Sequence, residues 1–389
     1  MFALSSAACA AAPTMGLLLL FRCLQGAGTA LMLPQTLAVL TAEFEEPAQR
    51  ARVVGLWAGV SSLGLAAGPV LGGLITSIAN WRWGFGLSAL LGLAALVMGG
   101  RAITAEHGRP ADPPSLDVVG AALGALGLGA LVEGLLALPA HGLGAPRVVG
   151  AFVIAAVALP GFLAWQFARQ RAGRSALMPP RLWRSRALSA ANISGAAYFF
   201  LFFGTMYFYS VDLQDARGHS ALSTGLMFLP MMALTAFMGP VAGRITASLG
   251  AGRVMLTGLA IGVLGSVLLA LLPAHYSVWD FEWRMAVVGI AAGLMSSPMS
   301  NLAVSGVPTA EASTAAAVHN TFRQIGSTMG VAVLGVITAH ATAAAGSSGR
   351  GAGLPGLDTA MLTTAGVLGA ALLAAGALLF GRRGAGRGA

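Results

Sequence analysis

Long apolar stretches, each about twenty residues, recur from one end of this chain to the other, and that recurrence leaves few folds open. A helix of that length spans a hydrocarbon core of roughly 30 Å. Inside a bilayer the backbone must satisfy its own hydrogen bonds, so only helices and closed barrels can cross. A barrel strand alternates apolar and polar residues over about ten positions, whereas these runs are continuous and long. The reading is therefore an all-α polytopic membrane protein. The spans fall at about 15–40, 53–79, 83–100, 117–138, 147–168, 187–211, 221–247, 253–273, 284–306, 312–340 and 358–381. Met1 to Ala12 is also apolar but rises only about 18 Å as a helix, too short to cross. Eleven full spans preceded by a partial one are the expectation. A mean hydropathy of +0.80 with 9% charged residues agrees, against about 25% charged in soluble domains.

Charge placement orients the spans. All 22 basic residues are arginine, and nearly all sit in the connections. Alternate connections carry Arg50, Arg52, Arg101, Arg109, the run Arg169, Arg171, Arg174, Arg181, Arg184 and Arg186, then Arg244, Arg253 and the tail Arg382, Arg383 and Arg387. The opposite connections carry Arg82, Arg147, Arg217, Arg284 and Arg350, five against fifteen. The positive-inside bias makes the richer side cytoplasmic, the C-terminus included. The net charge of +9 thus belongs to membrane topology and not to nucleic-acid binding. Prolines 13, 47, 139, 273, 308 and 355 punctuate the connections. Cys9 and Cys23 form neither a disulfide framework nor a metal motif, and the six histidines show no ligand spacing, so no metal or cofactor is expected. The absence of lysine with 54 glycines suggests a GC-rich bacterial source. Ala8 to Ala12 offers small residues for signal cleavage, but no positive charge precedes the apolar region, and Ser6 is wrong for lipidation at Cys9. Both readings are set aside.

The most specific string is Leu63-Gly-Leu-Ala-Ala-Gly-Pro-Val-Leu-Gly-Gly73. Gly64, Gly68 and Gly72 stand four apart, so one helix face lacks side chains and invites close approach of another backbone. Pro69 removes a donor and bends that helix. Together with Gly73, this string resembles the antiporter signature of the fourteen-helix drug:proton antiporters of the major facilitator superfamily. Other motifs occur in the family's order. Phe21 to Pro34 resembles its fourth helix, Trp81-Arg-Trp83 the turn into the sixth, and Leu116-Asp-Val-Val-Gly120 the entry to the extra helix pair. Asp212 to Pro230 resembles the junction of helices nine and ten, and Asn320 to Gly326 the thirteenth helix.

The resemblance implies a major facilitator fold in three segments. These are an incomplete N-terminal bundle (1–100), an inserted helix pair with a cytoplasmic linker (101–186) and a C-terminal six-helix bundle (187–389). It implies that the family's first two helices, part of the third and an acidic partner for Arg22 have no counterpart here. It also implies that Met1 is a truncated or misplaced start and that the 389 residues alone do not perform proton-coupled export. Gly243 to Arg253 resembles the repeat of the missing loop, with Ala247 where aspartate is expected.

Few residues can carry chemistry. An arginine inside a span costs on the order of 2.5–3.5 kcal/mol, so Arg22 must be paired or face water. By resemblance Arg22, Asp212 and Arg323 are proton or charge relay candidates. Asn320, Arg323, Gln324 and Ser327 make one polar helix stripe, with His319 beside it. Packing is the competing role for the stripe. Gln25, Tyr198, Phe199, Phe202, Met206, Met227, Asn320 and Gln324 are candidates for lining a substrate cavity, with packing again as the alternative. Glu133 lies in the inserted pair and reads as structural or near-interfacial, and Asp117 as an N-cap. Gly351 to Gly356 spells a dinucleotide fingerprint but lacks the strand and helix that would give it meaning. No catalytic constellation is present, so the chain reads as a non-enzyme. The expected function is export of hydrophobic small molecules, drugs or antibiotics, by proton antiport and alternating access, in a bacterial cell membrane as a monomer. Its partners are substrate, protons and lipid, not nucleic acid. The alternatives are an inactive or non-transporting membrane protein and an exporter of one endogenous metabolite.

Overall fold

A computed structural model describes residues 1–43, 46–102, 117–308, 311–345 and 353–381, with many side chains between 33 and 66 outside that description. Arg109, Arg350, Gly351, Arg382, Arg383, Arg387 and Leu116 lie outside the described residues, as do the side chains of Arg50 and Arg52. All described regular structure is helical. The elements are α1 (Phe2–Ala11), α2 (Met15–Glu43), α3 (Pro47–Ile78), α4 (Arg82–Ala102), α5 (Val118–His141), α6 (Pro146–Arg171), α7 (Arg186–Val211), α8 (Ala221–Met227), α9 (Leu229–Leu249), α10 (Ala251–Ala270), α11 (Val278–Ser305), α12 (Ala312–Ala345) and α13 (Leu357–Phe380). Among the described residues ten stretches are long and apolar enough to cross a membrane, one of them Ala221–Leu249, which runs through α8 and α9. The eleventh expected span lies in α3, whose described apolar part is Ala67–Ile78, and Phe2–Ala11 is short as anticipated.

Local chemistry sets the helix ends. Pro47 and Pro146 occupy first turns, where the missing N–H costs nothing. Asp117, Ser185 and Ser220 cap α5, α7 and α8 by accepting backbone N–H groups. Three boundaries differ from the sequence reading. The span expected over 221–247 breaks at Phe228, because Pro230 brings no donor and its ring crowds the preceding turn. A capping box between Ser277 and Asp280 starts α11 six residues early and places Arg284 inside the helix, donating to the Asp280 and Leu268 carbonyls. Pro139 lies within the last turn of α5 and not beyond it.

The chain forms two compact units. One comprises Met1–Pro113 with His219–Leu229, the other Pro114–Gly218 with Pro230–Ala389. In the first unit α1 lies against α2 and α4. A Cβ added at Gly28 would lie 2.9 Å from the Phe2 nitrogen, and one at Gly92 would lie 3.0 Å from Ala3 Cβ, so both neighbours reach α1 through glycine. Arg82 Nη2 closes its end by donating to the Ala12 carbonyl over 3.1 Å. The short α8 packs on α3, where Gly225 sits over the Pro69 carbonyl and Gly73 over that of Ala221.

In the second unit α7 is the central element, contacting α10, α11, α12 and α13 and burying most of its length. Leu201, Phe202, Ser194 and Thr205 are all essentially inaccessible. The tightest seam joins α7 to α12. A Cβ at Gly330 would lie 2.5 Å from the Phe200 carbonyl oxygen, and Gly326 approaches the Ala196 carbonyl still more closely. The same device joins α11 to its neighbours, through Gly258 against Met295 and through Gly293 against Met238 and Thr235. Lipid tails are as apolar as leucine, so close van der Waals contact takes over what hydrophobic burial does in water. Large apolar side chains such as Val157, Leu373 and Leu96 are left on the outside, as a lipid-facing surface requires.

Gly330→Leu should lower the unfolding midpoint of the purified protein by about 2–6 °C, since overpacking there costs on the order of 1–3 kcal/mol. Gly366→Leu, where an added Cβ meets nothing, is the matched control and should leave the midpoint unchanged. Equal effects in a thermal-shift assay would remove the weight placed on this seam.

Candidate functional site

Arg22 finds a partner in its own helix. Its Nη1 donates to Gln25 Oε1 over 2.6 Å, Gln25 Nε2 donates to Ser6 Oγ over 2.7 Å, and Ser6 Oγ donates to the Phe2 carbonyl over 2.7 Å. The guanidinium also stands 5.5 Å from the Phe85 ring centroid. Gln25 is buried, so the hydrogen-bonded chain Arg22–Gln25–Ser6 links the exposed face of α2 to the buried face of α1. Three and nineteen residues separate these partners. The first spacing was readable as one helical turn, the second was not.

The antiporter-type string splits into two faces. Gly64, Gly68 and Gly72 are exposed, and among the described residues an added Cβ at each meets nothing within 4 Å. The close approach expected of them falls instead to Gly73, buried under α8, and to the Pro69 carbonyl beneath Gly225.

In the second unit the polar stripe of α12 divides by depth. Asn320 and Gln324 are exposed, Arg323 and Ser327 are half-buried, and His319 is buried. Arg323 lies over the Phe199 ring, 4.3 Å from its centroid. His319 Nδ1 sits 3.2 Å from Asn192 Oδ1 on α7. Buried His319 Nε2 and Arg323 Nε have no hydrogen-bond partner. Tyr198 and Phe202 are packed with only 4% and 1% exposure, whereas Phe199 and Met206 are half-buried. Met227, in the first unit, is buried. Between α5 and α12 lie two adjoining hollows of about 310 and 270 Å³ that share Val132 and Thr328. One is lined by Gln324 and Ile325, the other by Phe203 and Ser327.

Asp212 is fully buried and held on every side. Arg217 Nε and Tyr276 Oη donate to its Oδ2 at 2.8 Å each, and the Leu354 N–H donates to Oδ1 over 2.6 Å. Arg217 stacks on the Tyr276 ring at 3.8 Å, and the backbone between Asp212 and Ala216 widens into a π-type turn that lets Arg217 fold back. Burial, followed by the neighbouring carboxylate, pushes the Tyr276 hydroxyl well above the ordinary tyrosine range. Sequence reading singled out Asp212 but not Arg217 or Tyr276, the latter 64 residues away.

A second anchor stands at the start of α5. Asp117 accepts from the Gly120 N–H, Trp165 Nε1 and Gln166 Nε2 at 2.8–2.9 Å, with Arg169 Nε at 3.7 Å. Gln166 Oε1 accepts from the Met178 N–H, and Arg169 Nε donates to the Ser175 carbonyl, so the linker after α6 is tied to the same knot. Glu133 pairs with Arg147 of α6 at 2.6 Å on an exposed face. Asp117 was legible as a cap; its three side-chain partners, on a different helix, were not.

Burial raises the Asp117 carboxyl, but hydrogen bonds from Trp165, Gly120 and Gln166 and the Arg169 charge together hold it below the usual carboxylate range. A depressed folded-state value gives stability that is present above the unfolded value of about 3.9 and is lost as pH falls below it. Asp117→Asn should therefore lower the unfolding midpoint at pH 7 and narrow its gap to wild type at pH 3.5. A gap that is the same at both values would show that the charge contributes nothing.

The family model described as Major Facilitator Superfamily matches residues 1–331. The methylenomycin A resistance protein of Bacillus subtilis is 30% identical over 86% of this chain and 71% of its own length. The protein of that name from Streptomyces coelicolor is 32% identical over 88% and 70%. The tetracenomycin C resistance and export protein of Streptomyces glaucescens is 30% identical over 87% of this chain and 62% of its own. Among solved structures, a POT family transporter in complex with 5-aminolevulinic acid superposes with a TM-score of 0.64 at 18% identity, covering 96% of this chain and 79% of that one. A bacterial homologue of the lysosomal transporter Spinster, inward-facing and unoccupied, gives 0.63 at 16% over 99% and 83%. At that identity these two speak for the fold alone. With the family model across most of the chain and relatives at 30% identity or more, this multi-pass membrane protein belongs to the major facilitator superfamily.

Proposed function

We propose that the chain exports hydrophobic small molecules of the antibiotic or drug type, by proton antiport and alternating access, a reading set against the expectation that its 389 residues alone do not. One observation carries the reading most directly: a spanning helix in each unit holds an arginine on neutral protein groups, Arg22 on Gln25 and Arg323 on the Phe199 ring. Charges are kept inside spans where transport needs them. The printed names of the relatives, which are resistance and export proteins, support the same reading. Residues 1–100, 101–186 and 187–389 act as N-terminal bundle, inserted pair with linker, and C-terminal bundle. The basic linker faces the cytoplasm of a bacterial cell, as does the C-terminus, and the functional state is a monomer. Arg22, Asp212 and Arg323 take the charge-relay roles. Asn320, Gln324, Phe199 and Met206 present the more accessible contacts for substrate, while Tyr198 and Phe202 support them from below.

In a pump-deficient bacterial host, expression should lower accumulation of methylenomycin A or tetracenomycin C several-fold. A protonophore should abolish that effect, and Arg22→Gln should weaken it. Unchanged accumulation of both compounds with verified membrane insertion would count against export. Orientation is tested separately. A cysteine at exposed Ser175 should resist an impermeant thiol reagent in intact cells, while one at exposed Gly144 should react, and the reverse pattern would invert the topology.

A further inference from the structure

The charges within the spanning helices of this protein do not balance. Among the described residues, most carboxylates within or next to spans are committed: Glu133 to Arg147, Asp212 to Arg217, Asp117 to its knot, and Asp280 to its cap and Arg284. Glu311 pairs with Arg181, and Asp215, Glu282 and Asp358 sit in the end turns of their helices. Arg323 is different. It lies eleven residues into α12, about 16 Å along the axis, and no described carboxylate pairs with it.

Its surroundings form a prepared seat. Gly195 of α7 leaves a notch into which both α12 side chains fit, since a Cβ there would lie 2.7 Å from His319 Cε1 and 3.2 Å from Arg323 Cγ. Phe199, one turn further along α7, supplies the ring under the guanidinium. Asn192, about one turn before the notch, holds His319 through Nδ1 and leaves the buried Nε2 with no partner. Arg323 Nε is likewise buried and donates to nothing. A cation–π contact does not offset the cost of keeping a guanidinium among spanning helices with a donor unused. What remains unsatisfied is a negative charge with acceptor oxygens. Arginine meets a carboxylate, as it does a phosphate, in a two-pronged geometry, and a carboxylate brings a single negative charge for the single guanidinium.

We infer that the exported molecule is an amphipathic organic acid, its carboxylate seated on Arg323 and its apolar body lying along Phe199 and the half-buried face of α12. This deepens the export reading and rests on it. His319 Nε2, with the ring proton on Nδ1 toward Asn192, accepts a hydroxyl or amide N–H next to the carboxylate. Exposed Asn320 and Gln324 offer neutral polar contacts on either side. The same fixed cation disfavours a positively charged ligand, so the site discriminates by repulsion as well as by attraction.

The test uses the full chain in lipid nanodiscs with three fluorescent probes of one shape: pyrene-1-butanoate, its methyl ester and 4-(1-pyrenyl)butylamine. Empty nanodiscs correct for partitioning. The acid should bind about tenfold more tightly than the ester, the usual scale for a hydrogen-bonded charge, and the amine more weakly than either. Arg323→Gln should bring acid and ester to within about twofold while ester binding is retained, and Arg323→Lys should keep much of the preference. An amine that binds as well as the acid, or an acid preference untouched by Arg323→Gln, would overturn the inference. Should the glutamine variant not fold, the order of the three probes on the wild-type protein decides alone. Efflux of the same probes from a pump-deficient host separates the two readings. Acid preference in binding without efflux would sink export and leave the anion site, whereas efflux of ester and amine without acid preference would do the opposite.

Discussion

Backbone-to-backbone approach across glycine is the interaction on which the second unit depends. In water, burying leucine against leucine would hold such helices together; in lipid it gains almost nothing. What remains is close contact and interhelical hydrogen bonding. The chain achieves the first by removing side chains where α12 crosses α7, at Gly326 and Gly330, and where α11 meets its neighbours, at Gly258 and Gly293. The interhelical bond from His319 Nδ1 to Asn192 Oδ1 and that from Tyr209 Oη to the Leu269 carbonyl, at 3.1 Å, accompany that proximity.

The ends of the spanning helices are fixed differently. Asp212 at one end of α7 and Asp117 at the entrance to α5 are each buried and each saturated with donors from separate elements. A buried carboxylate that lost one of these donors would keep its desolvation cost, so the elements around it are strongly coupled. Asp212 joins the end of α7 to the residues before α11 and before α13. Asp117 joins α5, α6 and the linker beyond. Mid-span arginines follow another rule. Arg22 and Arg323 are held by neutral or aromatic groups, which stabilise a charge less completely and leave it open to a further partner.

Much of this was legible in the sequence because lipid imposes a length and a composition on every span. The all-helical class, the span positions to within a few residues and the short α1 followed from apolar runs and arginine placement. The departures have local causes. Pro230 interrupts one run, and the Ser277–Asp280 capping box adds two turns to another. The candidate residues themselves were found through rarity, a charge or amide inside an apolar run, but their partners were not. Tyr276, Asn192 and Gln166 are ordinary residues whose importance comes only from being brought next to a singled-out one. Gly326 and Gly330 carry the four-residue spacing of a close-packing signal but were not singled out in the sequence. The glycine face at 64, 68 and 72 spelled that signal and yet meets none of the described atoms of its own unit, so spacing alone does not say what a face packs against.

The burial of α7 has a consequence for how the protein is made. This helix carries Asn192, Ser194 and Thr205 on faces that are inaccessible in the finished unit, yet its principal partner is encoded far downstream. His319 follows Asn192 by 127 residues. At a synthesis rate of roughly 5–20 residues per second, about 6–25 seconds pass before the histidine is even polymerised. Throughout that interval α7 is in the membrane with its polar groups turned toward lipid or toward provisional neighbours. The helix that organises the second unit thus waits, during biogenesis, for a partner made long after it, and the arrival of α12 closes that interval.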